Sequence, residues 1–321
     1  MTAILKFEES VASIQRKIDR IRESHDPARL PLLEALEREL ASRLGPIYRA
    51  LSPMQCAMVA RHPARPDTKD YLKRIFDEFV EFHGDRRGGD DAALVGGVGR
   101  FNGEPCVVVG HQKGADTKQK LMCNFGMARP SGYRKAARLY ELAGEQNLPI
   151  VTFVDTPGAF PGVDAEEQGQ SEALATCIRR LVTSPVPVIA VVTGEGGSGG
   201  ALALSVADRV GMLSYSVYSV ISPEGCAASL WKSAERVASA ASVLGIDAKS
   251  VLKVGLVDEV IAEPVGGAHR FPSEAANAVK QFINASLKQL QPLSAAALRN
   301  LRQTRLISHD GNLAPQLAGA D

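Results

Sequence analysis

The sequence predicts an α/β protein, a mainly parallel sheet wrapped in helices, with an N-terminal α-helical hairpin. Three observations point there. From Pro130 onward, helical and strand-like patterns alternate, which is how a parallel sheet covered by helices is assembled. Pro187 to Ala207, PVIAVVTGEGGSGGALALSVA, joins a β-branched run to a glycine cluster and then to an alanine- and leucine-rich segment. That reads as a strand, a glycine turn and a buried helix in series. Before position 60, apolar residues recur three and four apart in two separate stretches.

Those stretches are Phe7, Val11, Ile14, Ile18 and Ile21, and then, past Asp26-Pro27, Leu33, Leu36, Leu40, Leu44, Ile47 and Leu51. Two helices with such stripes, joined by a short turn, fold antiparallel with their seams together. Residues 1–60 are read as an arm that docks a partner or a second copy; the plainer alternative is a cap folded onto the main domain. The main domain is expected over 61–308, with a flexible tail over 309–321. Arg61-His62-Pro63-Ala64-Arg65-Pro66 excludes regular structure and marks the boundary. Its cations either meet a phosphate or simply position the next helix. That helix is expected from an Asp67 N-cap to His83, stopped by Gly84, with Tyr71, Ile75, Phe79 and Phe82 as its apolar face.

Leu94 to Phe101 and Pro105 to Gly110 are two strands joined by Asn102-Gly103, a favoured two-residue turn. A polar loop, GHQKGADTK, leads into a short helix, and the segment from Lys113 and Lys118 to Arg138 is basic. It is either a solvated face or a surface that recognises an acidic or phosphate-bearing ligand. A helix over 131–145, a strand over 149–155, a helix over 166–183, the glycine stretch and a strand over 209–213 follow. Further helices run to about Leu306. The Thr156–Gly162 loop leaves the carboxyl end of its strand, where α/β folds place ligands. Asp155 at its base is a catalytic acid or base, or a partner for the loop's own backbone.

Composition narrows the function. The chain has 321 residues, a net charge of +1, 23% charged and 45% hydrophobic residues. Near-neutral charge offers no bulk attraction to nucleic acid or membrane, and no apolar run approaches the roughly 18 residues of a membrane span. The N-terminus lacks the basic and apolar regions of a signal peptide. Five scattered cysteines without C-x-x-C read as reduced thiols in a cytoplasmic protein. The six histidines show no metal-ligand spacing, so no metal site is expected.

Gly194 to Gly200 carries the chemistry, because exposed backbone N–H groups at a helix start bind anions. Its letters fit several owners. Gly194, Gly196 and Gly199 satisfy G-x-G-x-x-G, the fingerprint of a nucleotide-binding protein, but Ser214 to Ser219 supplies no acid for the ribose. Gly196, Ser198 and Gly200 satisfy G-x-S-x-G, with Asp258 and His269 following in serine-hydrolase order. A nucleophile elbow turns directly off its strand, whereas Ser198 is expected four residues beyond the strand's end, and no HGGG-type loop precedes it. No Gly-Lys-Ser or Gly-Lys-Thr makes a P-loop.

Longer strings decide among them. GHQKGADTKQK, NFGMARPSGYRKA, FVDTPGAFPGVDAEEQGQSEA, TGEGGSGGALAL, YSVISPEGCAASLWK and EPVGGAHR stand in order. Together they closely resemble the α-subunit family of the bacterial acetyl-CoA carboxylase carboxyltransferases, over essentially the whole chain. The resemblance implies a crotonase-like (ClpP/crotonase) core of ββα units forming two roughly perpendicular sheets. It implies a β subunit of the same fold bearing a zinc ribbon, in an α2β2 assembly. It also implies transfer of a carboxyl group from carboxybiotin, on the biotin carboxyl carrier protein, to acetyl-CoA. The product is malonyl-CoA, at the first committed step of fatty acid biosynthesis, and a separate biotin carboxylase performs the ATP-dependent step. On the same resemblance Gly199 and Gly200 are the catalytic donors to the biotin oxygen, and Gly196 and Gly197 shape the approach. Gly158 and Phe160 line the carboxybiotin entrance, and Lys113 and Lys118 are candidate contacts for CoA or the carrier.

Overall fold

The computed structural model describes residues 3–24 and 26–307; the tail expected over 309–321 lies outside them. Helices α1 (Ala12–Ser24) and α2 (Leu30–Arg49) form the predicted hairpin, with Ile14 and Ile18 packed against Leu40, Leu44 and Tyr48. Its inner end rests on the main body. Buried Glu8 accepts from the Tyr48 hydroxyl at 2.8 Å and from Arg270 at 2.9 Å, and the Tyr48 ring meets Tyr215 edge-on at 5.0 Å. The base of the hairpin is thus packed on the main body. Helix α3 (Pro53–Ala60) follows, opened by a capping box of Ser52 and Gln55.

Helix α4 starts at its Asp67 cap but spans only Thr68–Ile75. The helix expected to His83 is corrected here: Glu78–Glu81 is strand β1, paired antiparallel with residues 97–100 of β2 (Leu94–Phe101). Phe79 and Phe82 are three apart, which mimics a helical stripe. On an extended chain that spacing sends them to opposite faces, and they pack into the two different cores on either side of the sheet. Gly97 makes the pairing fit, because a Cβ there would collide with the Val80 carbonyl oxygen. Strand β3 (Glu104–His111) returns through Asn102 and Gly103, both at positive φ, as a type I′ turn requires.

Helix α5 (Thr117–Met122) and helix α6 (Pro130–Glu145) lead to strand β4 (Ile150–Thr156). The helix expected from Glu166 is two helices, α7 (Val163–Glu167) and α8 (Gln170–Thr183), split where Gly169 takes φ +82°. Strand β5 (Val188–Gly197) and helix α9 (Ser198–Ser205) form the glycine stretch, and strand β6 is Arg209–Leu213. Two short strands escaped the sequence reading, β7 (Val217–Ser219) and, after helices α10 (Pro223–Trp231), α11 (Val237–Leu244) and α12 (Ala248–Lys253), β8 (Glu259–Ile261). Helices α13 (Pro272–Leu290) and α14 (Ala295–Ile307) complete the described chain.

Hydrogen bonding joins all eight strands, in the order β1-β2-β3-β4-β5-β6-β8, with β7 branching from β5. From β3 to β8 every pairing is parallel. The network is branched rather than divided into two separate sheets. Alternate residues of the central strands serve two cores. Val107, Val109, Ile150, Val188, Ala190 and Val192 face α6, α8 and α9, while Val108, Val151, Phe153, Ile189 and Val191 face α4 and α13. A strand buried on both sides must be apolar throughout, which is why the β-branched runs were legible. No helix among the described residues is long and apolar enough to cross a membrane. No group of three or more His, Cys, Asp or Glu among the described residues is arranged to hold a metal.

Candidate active site

The glycine segment is an extension of the strand, not a turn. β5 pairs with β4 and β6 up to Val192; then the β4–β5 register shifts, and Glu195–Gly197 pairs with β7 instead. Helix α9 therefore begins directly off the strand, with Ser198 at φ +52° as its first residue. This corrects the expectation that four loose residues separate strand from serine. The hydrolase reading fails on other grounds. Asp258 is occupied by Arg305 at 2.6 Å and by the Val210 N–H. His269 is stacked on His62 at 3.9 Å, and neither of its ring nitrogens has a hydrogen-bond partner, so it is linked to neither Asp258 nor Ser198. Burial, then His62 beside it, pushes the His269 pKa down to about 2, so it is neutral but idle.

What the junction presents is backbone. Gly197, the N-cap, offers no side-chain cap, and among the described residues no loop carbonyl takes the N–H groups of Ser198, Gly199 and Gly200. The first N–H groups of a helix have no partner within it either, and the helix dipole makes its start attractive to anions. The Thr156–Phe160 loop lies across this start. A Cβ on Gly197 would strike the Pro157 carbonyl, and one on Gly200 would stand 2.7 Å from the Ala159 nitrogen. At Gly199 a Cβ meets only Leu174, at 3.6 Å. Gly196 lies under the Tyr218 ring, 2.5 Å from where its Cβ would be. Gly200, Gly197 and Gly196 thus permit close packing, whereas Gly199 faces open space.

The loop is fixed at both ends. Thr156 Oγ1 accepts from the Gly158 N–H at 3.1 Å and donates to its carbonyl at 2.7 Å. Half-buried Phe160 is held by Gln170, which donates to its carbonyl at 3.1 Å, and by the Arg129 guanidinium 4.1 Å above its ring. Gly158 and Phe160 therefore lie on the loop that crosses the helix start. Lys118 stands exposed on α5. Lys113 does not join it. Its side chain is 19% exposed, and its ammonium lies 2.7 Å from both Asp155 Oδ1 and Glu195 Oε2.

That lysine is the hub of a charged brace beneath the glycines. Asp155 Oδ1 also accepts the Glu195 N–H at 2.8 Å, and Glu195 Oε1 accepts from Arg61 at 2.6 Å. Arg61 goes on to Glu224 at 2.6 Å. Gly194 makes room for it, since any Cβ there would overlap the Asp155 carboxylate. Burial works to raise the Glu195 pKa, but the Lys113 and Arg61 charges outweigh it and the net shift is downward. Burial works to lower that of Lys113, but Asp155 and Glu195 outweigh it and the net shift is upward. These groups stay ionised and paired, so Glu195 is not poised as a general base. The boundary loop has the same structural use: Arg65 is buried against Glu263 at 2.8 Å and donates to the Thr193 carbonyl at 2.6 Å. Its cations position backbone; they do not present a phosphate site.

Sequence reasoning weighed Asp155 but missed Glu195, Tyr133 and His111. Nothing local marks them, because each reaches the junction from a different element.

A family model described as acetyl co-enzyme A carboxylase carboxyltransferase-like matches residues 4–310. The chain belongs to that family. It is 51% identical, over 96% of its length and 97% of the relative's, to the acetyl-coenzyme A carboxylase carboxyl transferase subunit alpha of Aromatoleum aromaticum. The subunit of that name from Azotobacter vinelandii is 50% identical, over 95% of this chain and 98% of the relative. Among solved structures it resembles transcarboxylase 12S, with a TM-score of 0.59 and 23% identity over 71% of this chain and 42% of that one. It also resembles the β subunit of the P. aeruginosa geranyl-CoA carboxylase, with a TM-score of 0.57 and 18% identity over 78% of this chain and 46% of that one. These neighbours place the family's chain in the crotonase-like carboxyltransferase fold.

Proposed function

We propose that this chain is the α half of an acetyl-CoA carboxylase carboxyltransferase, moving a carboxyl group from carboxybiotin to acetyl-CoA to give malonyl-CoA. The observation that carries the site assignment is the start of α9, which has no side-chain cap, together with the room at Gly199. Biotin on the carrier supplies the carboxyl group and, once relieved of it, a negatively charged ureido oxygen and a basic nitrogen. The residues here fit such a guest: fixed donors without a competing anion, and an entrance formed by Gly158 and Phe160. Gly199 and Gly200 donate to the ureido oxygen, and losing one preorganised donor typically costs about 3–4 kcal/mol. No side-chain base is required, consistent with a site whose carboxylates are ion-paired.

The same reading assigns a zinc-ribbon β subunit, an α2β2 assembly, the biotin carboxyl carrier protein, a separate biotin carboxylase and a cytoplasmic location. Lys118 remains a candidate contact for CoA or the carrier. The test uses the chain assembled with its β partner and follows carboxyl exchange between malonyl-CoA and free biotin. Gly199→Val is expected to fold and assemble, because its surroundings leave space, and to lose transfer, because the branched side chain fills the face the guest must approach while the N–H remains. Near-normal turnover would remove the assignment, and labelling of Ser198 by a fluorophosphonate would favour a hydrolase instead.

A further inference from the structure

Two polar side chains are buried behind the helix start without hydrogen-bond partners. Tyr133, on α6, is 0% exposed, and its ring belongs to the core between the sheet and the helices. Its hydroxyl has no partner; a Cβ built on Gly200 would stand 2.9 Å from it, and 2.7 Å from the Ala159 nitrogen and the Gly158 carbonyl carbon. His111, also 0% exposed, lies against the Phe153 and Gly200 backbone, with no hydrogen bond of good geometry to either ring nitrogen. Burial, then the nearby Lys113 charge, pushes its pKa down to about 3. Burial likewise holds the Tyr133 hydroxyl in its protonated, donating form.

An unpartnered buried hydroxyl is a net cost to folding, and phenylalanine would fill the same volume without it. The hydroxyl makes sense if it acquires a partner during turnover. It lies beside Gly200, where α9 meets the Gly158–Ala159 backbone, next to the point at which the proposed function seats an oxygen. On the side of Gly158 where a Cβ would point, nothing lies within 4 Å.

We propose that the Tyr133 hydroxyl is a third donor to the anionic oxygen held by Gly199 and Gly200, reached when the Gly158–Ala159 backbone parts from Gly200. This rests on the carboxybiotin reading of the helix start. It makes Tyr133 a catalytic residue in the strict sense, a group that touches the reacting molecule. His111 stays a neutral wall behind Gly200 and adds no charge to compete for the anion.

The experiment is Tyr133→Phe in the assembled αβ complex, with Gly199→Val alongside and free biotin as the carboxyl acceptor from malonyl-CoA. Tyr133→Phe should keep assembly and an equal or higher Tm, because no native hydrogen bond is lost. Its kcat should fall by about a hundredfold, in the range for one oxyanion donor, with the KM for malonyl-CoA unchanged. Normal kcat in Tyr133→Phe beside an inactive Gly199→Val would overturn the role of Tyr133 alone. A parallel fall of Tm and kcat would show that the hydroxyl is structural, and would overturn it too. Normal kcat in Gly199→Val would instead remove the glycine assignment on which it rests.

Discussion

Replacing Lys113 by methionine keeps the length of the stem and removes one charge from the brace. In the native chain a single ammonium lies 2.7 Å from oxygens of both Asp155 and Glu195, whose side chains are 5% and 11% exposed. Without it the two carboxylates face each other at about 5 Å, a repulsion of about 3 kcal/mol at an effective dielectric of about 20. Protonating one carboxylate relieves that repulsion, so the variant is penalised most where both are ionised. A repulsion of this kind is fully felt at high pH and fades as pH falls and one carboxylate takes up a proton. The variant should therefore be about 3 kcal/mol less stable than the parent at pH 8, with a smaller deficit at pH 5. The parent behaves in the opposite sense, because the depressed Glu195 pKa gives stability that holds above the unfolded value and fades only as pH falls. Urea unfolding of the chain at the two pH values measures both. A deficit equal at pH 5 and pH 8, or none at either, would refute the brace.

Three further outcomes follow from the packing. Gly197→Ala and Gly200→Ala should each lower stability by about 1–3 kcal/mol by forcing the Pro157–Ala159 backbone aside, while Gly199→Ala should leave Tm within about a degree or two of the parent. Thermal unfolding of the three separates steric need from catalytic need. Arg302 is fully buried, donates to Asp208 at 2.7 Å and to the Val186 carbonyl at 3.0 Å, and so fixes α14 to the start of β5. Arg302→Leu strands the Asp208 charge and should cost about 3–5 kcal/mol in urea unfolding. Finally, His111 and His269 are held neutral in the fold, with pKa values down to about 3 and about 2, chiefly by burial. Their contribution is complete above pH 6.5 and declines by about 1.4 kcal/mol per pH unit per histidine as the unfolded chain takes up protons. His269→Gln should flatten the loss of stability between pH 6 and pH 4, and an unchanged slope would count against it.

Strands buried on both faces announce themselves as continuous β-branched runs, and Asn102-Gly103 specifies its own turn, so the central sheet was legible from residues alone. The misreadings came where local pattern and tertiary pairing disagree. Phe79 and Phe82 fit a helix by spacing, but the smooth edge offered by Gly97 captured them as a strand. Gly194 to Gly197 fit a turn by composition, yet β7 and Thr156 supply hydrogen-bond partners that keep them extended. β7 and β8 have three residues each, too few for any period to emerge. The charged brace was illegible for a different reason. Arg61, Lys113, Asp155 and Glu195 lie on four separate segments, and only the parallel order of β3, β4 and β5 brings three of them to one edge. The family strings gave the function without revealing that contact.

The arrangement also bears on why the chain works in a pair. Carboxyl transfer to a thioester develops negative charge on two oxygens, that of the biotin ureido group and that of the acetyl enolate, and each needs donors fixed in advance. On the proposed reading the helix start at Ser198 gathers one such set, and the Thr156–Phe160 loop packs closely against Gly197 and Gly200. The neighbouring charges are committed to one another, with Lys113 between Asp155 and Glu195 and Arg61 between Glu195 and Glu224. They cannot turn to a second oxyanion without breaking the brace that holds the first set in place. On the proposed reading, then, the donors for the thioester belong to the β subunit, and the exposed face of α9 at Ser198 and Gly199 is where the two halves must meet.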